Sequence, residues 1–178
     1  MTNARFFRQP ARVAGLVLVL LASPMADRAA PQDRPGAAID IAAGWVGFPD
    51  EGIVSEGLLG GAARWYLLPR VSVGPELVYV RGTNHNHLVA TANITWDLRA
   101  PVNGRPAAIT PFLVAGGGVF QTRERFFNGT FRSSEGAFTA GGGVRALVGD
   151  RVTVGLDLRA GWETHIRING VVGVQLGR

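Results

Sequence analysis

Two histidines one residue apart, His85 and His87, have the clearest metal-ligand spacing in the chain. On a strand, an H-x-H pair puts both imidazoles on one face, where they can hold a transition ion. A third ligand is needed, and the pattern offers only His165 or a carboxylate such as Glu163. With that set incomplete, the reading is loop and lumen histidines, with no metal and no cofactor assigned. A second set is larger: Asp40, Arg64, Glu76, Asp97, Arg145, Asp157, Arg159 and Arg167. Acids and bases balance within it, and guanidinium–carboxylate pairs can satisfy one another where water is scarce. A third set joins Arg123, Arg125 and Arg132 to Phe126, Phe127 and Phe131 in the segment 122–134. That basic-aromatic character suits anionic lipopolysaccharide or another surface ligand. Gly116–Gly118 and Gly141–Gly143 are not phosphate loops, because no Lys-Ser/Thr follows and no helix begins there.

The elements that must position these residues repeat with period two. From Arg151 to Glu163, Val152, Val154, Leu156, Leu158, Ala160 and Trp162 alternate with Arg151, Thr153, Gly155, Asp157, Arg159, Gly161 and Glu163. Successive side chains on a strand point to opposite faces, so this is a strand with one apolar face and one of mixed charge. Comparable patterns predict strands over 38–48, 57–67, 71–81, 87–98, 108–121, 135–148, 151–163 and 165–177. Pro75 hints at a bulge or weak pairing in the third. The segment 122–134 reads as the longest loop, and Gly149-Asp150 as a two-residue hairpin connection. The links two-three, four-five and six-seven are shorter on average than one-two and five-six. No helical period of useful length follows the apolar N-terminal run, which argues against an α/β fold.

The N-terminus predicts a compartment. Arg5, Arg8 and Arg12 precede the apolar run Val13–Ala22, then small residues and Pro24, Pro31 and Pro35. That run falls short of the roughly 20 residues a transmembrane helix needs, and it matches a secretory signal. The expected organisation is a signal peptide over 1–26, an irregular tether over 27–37 and a barrel domain over 38–178. The net charge of +5 shrinks once the signal is set aside: fifteen of the 18 basic residues remain against 13 acidic ones, or +2. That is no nucleic-acid signature. All the basic residues are Arg, and there is no cysteine to supply a disulfide.

Which face points inward decides the class. The apolar faces are almost free of charge, while glycine is frequent among the polar ones (Gly44, Gly60, Gly74, Gly117, Gly141, Gly143, Gly155, Gly161, Gly173). Trp45, Trp65, Tyr79, Trp96 and Trp162 fall near strand ends on the apolar faces, as interfacial girdles do. The prediction is an all-β, eight-stranded antiparallel up-and-down transmembrane β-barrel in the outer membrane, in contact with lipid. Its lumen would be plugged by the eight charged residues. The alternative is a soluble periplasmic lipocalin-like barrel, apolar side inward, binding a small apolar ligand.

Pro111-Phe-Leu-Val-Ala-Gly-Gly-Gly-Val119 and the run from Gly141 to Gly155 resemble the small bacterial outer-membrane β-barrels of the OmpA-like and OmpX-like kind. The resemblance covers 38–178 in layout and implies the same fold and membrane. It implies no single activity, since such barrels include anchors, narrow channels, adhesins and a few enzymes. They usually end on an aromatic residue, whereas this sequence reads Val174-Gln-Leu-Gly-Arg178. The lipid A deacylases among eight-stranded barrels carry a close His-x-Ser spacing. Here His85 is followed by Asn86 and His87, and His165 by Ile166 and Arg167. Ser133, Ser134 and Glu135 therefore do not complete such a set, and no catalytic residue is assigned. The expected role is structural or surface-interacting.

Overall fold

Alternation of outward aliphatic with inward small or polar residues turns each predicted segment into a strand. The computed structural model describes residues 36–50, 52–82, 85–100, 107–126, 129–161 and 165–176. Its strands are β1 (Ala37–Asp50), β2 (Gly52–Leu68), β3 (Val71–Arg81), β4 (His85–Asp97), β5 (Ile109–Phe126), β6 (Gly129–Val148), β7 (Val152–Gly161) and β8 (Ile166–Leu176). Each pairs antiparallel with its sequence neighbour, and β1 closes on β8 from Ala37↔Leu176 to Gly47↔Ile166. Closure leaves no sheet edge along the shared wall. The expected signal peptide, and the tether up to residue 35, lie outside the described residues; Ala37 already belongs to β1.

Both ends of the barrel chain and the links β2–β3, β4–β5 and β6–β7 lie at one end, the near end. The other four links lie at the far end. The length asymmetry expected of the links is not there: the β4–β5 link, 98–108, is long and sits at the near end. The asymmetry belongs to the strands instead. Residues 122–134, read from sequence as a loop, continue the β5–β6 ladder to Phe126↔Gly129. Thr122, Phe126, Thr130 and Phe131 favour extended backbone, and charge does not stop pairing where a strand leaves lipid. β7 meets β6 only from Thr139 onward, so β6 runs well past β7, whereas β5 stays paired with β4 as far as His85↔Glu124. About 9–11 residues suffice to cross a membrane, and β6 has 20.

Smaller differences have local causes. The β2–β3 ladder runs from Ala62↔Glu76 to Trp65↔Val73 without pairing Gly74 or Pro75 to β2, because proline has no N–H to give; a register shift follows between Tyr66 and Leu68. The β6–β7 connection has three residues, Gly149 to Arg151, with Gly149 at a φ of 72° that a glycine adopts freely. Gly117 faces outward, contrary to its expected place on the polar face. β5 is apolar on both sides: Phe112, Val114 and Phe120 are buried in the lumen, whereas Leu113 and Val119 are exposed.

Candidate functional site

The lumen holds the chemistry and is filled in two parts. All eight charged residues singled out from sequence face inward and are buried, at 3–9 % exposure. Nearest the near end, Arg64 donates to Asp40 through Nε (2.6 Å) and Nη2 (3.0 Å). Its Nη1 donates to the Tyr66 hydroxyl at 3.0 Å, which donates in turn to Asp97 Oδ2 at 3.1 Å. Arg145 Nη1 donates to the other Asp97 oxygen at 3.1 Å, and its guanidinium carbon lies 3.8 Å from the centre of the Phe112 ring. Tyr66 thus joins two ion pairs into one chain spanning β1, β2, β4 and β6.

A second group centres on Glu76. Arg159 Nη1 donates to its Oε2 at 2.8 Å, Arg167 Nη2 to its Oε1 at 2.8 Å, and the Asn93 amide to its Oε2 at 2.7 Å. Arg159 also forks onto Asp157 on its own strand, Nη2 to Oδ2 at 2.6 Å. Two guanidiniums share one carboxylate, and the second carboxylate restores neutrality. Glycines make the room: a Cβ at Gly173 would stand 2.1 Å from Asp40 Oδ1, and one at Gly141 would stand 2.7 Å from the Arg159 Cα. A void of about 40 Å³ beside these groups has room for a few waters.

Toward the far end the filling changes. Val46, Leu58, Val78 and Val80 form a buried apolar cluster, with Phe48 and Val89 packed against it. The void among them is about 20 Å³. Sequence reasoning missed this half, because the inward positions of β1, β2 and β3 switch from polar to aliphatic partway along each strand. Above it, His85 and His87 of β4 meet Glu56 of β2: His85 Nε2 lies 2.5 Å from Glu56 Oε1, and His87 Nε2 lies 3.9 Å from Oε2. Glu56 was missed because β2 was expected to start at Gly57; extending its parity one residue back puts Glu56 on the inner face with Leu58 and Arg64. The ligand partners expected from sequence are not brought in. His165 is buried elsewhere, 5.8 Å from the Phe48 ring, and Glu163 lies outside the described residues. Ser133 donates to Glu135 at 3.3 Å, and His87 pairs through Nδ1 with the Thr122 hydroxyl at 3.1 Å.

The exterior is the reverse. Ile41, Leu59, Leu77, Ile94, Leu156, Val172 and their neighbours expose aliphatic side chains around the whole wall. Trp65 and Trp96 are exposed toward the near end; Trp45 and Tyr79 lie toward the far end on the same outer face. Trp45 gives its indole N–H to the Ser55 hydroxyl and lies over Gly47. Eight residues along β1 separate the two levels, about 20 Å of height for strands tilted as in membrane barrels. Trp162 lies outside the described residues.

An apolar exterior around a charged interior is the arrangement of a membrane barrel and the reverse of a soluble one. The chain superposes on the N-terminal β-barrel domain of Pseudomonas aeruginosa OprF with a TM-score of 0.62 and 12 % identity, over 78 % of this chain and 97 % of that one. The fold is that of small outer-membrane barrels. Neisserial surface protein A matches with a TM-score of 0.63 and 11 % identity, covering 79 % of this chain and 96 % of its own. Ail, the attachment invasion locus protein of Yersinia pestis, solved with the heparin analogue sucrose octasulfate, matches at 0.56 and 10 % identity, over 78 % and 95 %. No protein-family model matches the sequence, and no curated protein does.

Proposed function

We propose that this protein is a non-enzymatic outer-membrane barrel with a plugged lumen, whose long β5–β6 hairpin meets anionic groups at the membrane surface. One observation carries the membrane reading: a band of aliphatic side chains is exposed around the whole outer wall, while the paired arginines and carboxylates face in. A lipocalin-like barrel needs the opposite, and the 20 Å³ apolar void is too small for even a modest ligand. The plug is supported by the ion-paired half and the aliphatic half lying in series across the lumen. The barrel should therefore need detergent for extraction, migrate differently on gels before and after heating, and pass no steady current in planar bilayers. Extraction in aqueous buffer would overturn the membrane reading, and stable open-channel steps would overturn the plug.

The surface role rests on the hairpin. Arg123 and Arg132 sit directly opposite one another in the β5–β6 ladder, and both are exposed. Like charges in register repel, a cost that an anion lying between them reverses. Both line one outer groove with Tyr79 and Leu88, at the far-end aromatic level. The sucrose octasulfate bound by Ail is likewise a polyanion. Nanodiscs containing lipopolysaccharide should bind or retain the barrel better than phosphatidylcholine alone, and Arg123→Glu with Arg132→Glu should abolish the difference. Equal behaviour of parent and variant would refute this surface role.

A further inference from the structure

We propose that Glu56, His85 and His87 form a binding site for a divalent first-row transition ion at the far-end mouth of the lumen. Each offers one ligand atom, and the three atoms lie within 4.8 Å of one another. Two imidazole nitrogens and one carboxylate oxygen are a donor set that suits zinc and its neighbours, and three protein ligands leave a position open.

Several independent features point the same way. The Glu56 side chain is only 2 % exposed, yet neither of its oxygens accepts a hydrogen bond of normal geometry among the described residues. A carboxylate buried in that state is costly, and a cation offsets the cost. The backbone makes room for the convergence: a Cβ at Gly82 would stand 2.3 Å from Glu56 Oε1 and 2.7 Å from His85 Nε2. Gly82 also donates its N–H to the His85 carbonyl at 3.0 Å, which pins the start of β4. His87 is held from behind. Its Nδ1 faces the Thr122 hydroxyl at 3.1 Å, and its ring stacks on Phe120 at 4.9 Å between centres. With Nδ1–H donating to that hydroxyl, Nε2 keeps its lone pair toward Glu56, the usual orientation of a metal-bound imidazole.

The surroundings define access. The His85 side chain is 30 % exposed, so an ion reaches the site from the far end. Beneath it, Phe48 and the aliphatic cluster close the lumen, and an ion would go no deeper. Seating one requires the 2.5 Å His85–Glu56 contact to open and the 3.9 Å His87–Glu56 approach to tighten. Both converge on the separation of about 3.4 Å that tetrahedral bonds of about 2.0–2.1 Å impose. His85 sits at the strand start, where such movement is cheapest.

The test uses the tag-free barrel folded in detergent, with Zn²⁺ titrated against a chromophoric chelator and Co²⁺ as a spectroscopic probe. One ion per barrel is expected, with the intense visible bands of four-coordinate cobalt. His85→Ala and His87→Ala should each weaken binding by at least about tenfold, as should Glu56→Gln. Thr122→Val, which touches only the orientation of His87, should cost about tenfold. Absence of stoichiometric binding, or binding undiminished in the His85→Ala/His87→Ala double variant, would overturn the site. If Glu56→Gln does not fold, the histidine variants and the cobalt spectrum still decide the question.

Discussion

The near and far halves of the lumen fill the same eight-stranded cross-section with opposite chemistry. Near the chain ends, four arginines and four carboxylates interlock through Tyr66 and Glu76. Farther on, Val46, Leu58, Val78 and Val80 pack with Phe48 and Val89. The ionised filling depends on partners: removing one group strands another in a space with almost no water. The aliphatic filling depends on volume alone. The ionised half also fixes register. A slip of one residue would turn Arg159 and Arg167 to the outer face, a cost of about 2–4 kcal/mol for a charge at a bilayer midplane and less toward its interfaces. In the far half the same slip brings Leu59 in for Leu58 or Leu77 in for Val78, so those two positions discriminate register less.

That contrast can be broken most directly at Glu76. Glu76→Leu leaves Arg159 with Asp157 alone and Arg167 without its carboxylate, so the barrel should lose about 3–5 kcal/mol in urea unfolding from detergent micelles. A loss below about 1 kcal/mol would mean the pairs do not hold the near half. Arg145→Leu should cost about 3 kcal/mol by the same assay, at the low end of that range, because Asp97 keeps the Tyr66 hydroxyl. Unchanged unfolding would remove Arg145 from the network. In the far half, Leu58→Ala should cost about 2–3 kcal/mol, a graded cavity effect, and Leu58→Met should restore most of it. Failure of methionine to rescue would show that shape, not volume, governs this half. The smallest effect sharpens the comparison most. Replacing Asp40 by Leu and Arg64 by Met together should leave stability within about 1 kcal/mol of the parent, although either change alone should cost several. Should the double variant fall as far as the singles, the near half is held by something other than pairing.

Most of the wall was legible in the sequence. The third strand, Val71–Arg81, was placed to the residue, and the inward parity of Asp40, Arg64, Asp157 and Arg167 followed from period two alone. β5 was harder, because Phe112, Val114 and Phe120 on one face and Leu113 and Val119 on the other give alternation nothing to contrast. Gly117 was misplaced for that reason. The segment 122–134 looked like a loop because charge and aromatics obscured a ladder that continues to Phe126↔Gly129. Glu56 escaped notice since a strand start is where periodicity has the fewest residues to average over.

By itself the sequence determined the strands, their two faces and the balance of inward charge, because pleating is local and each residue's face depends only on its neighbours' count. Which arginine meets which carboxylate was decided by closure. Glu76 and Arg167 stand 91 positions apart and touch only because β1 joins β8 and turns both into one narrow interior. The meeting of Glu56 with His85 and His87 has the same origin, two strands brought together across β3. Such contacts are set by stagger and curvature, which no local pattern encodes.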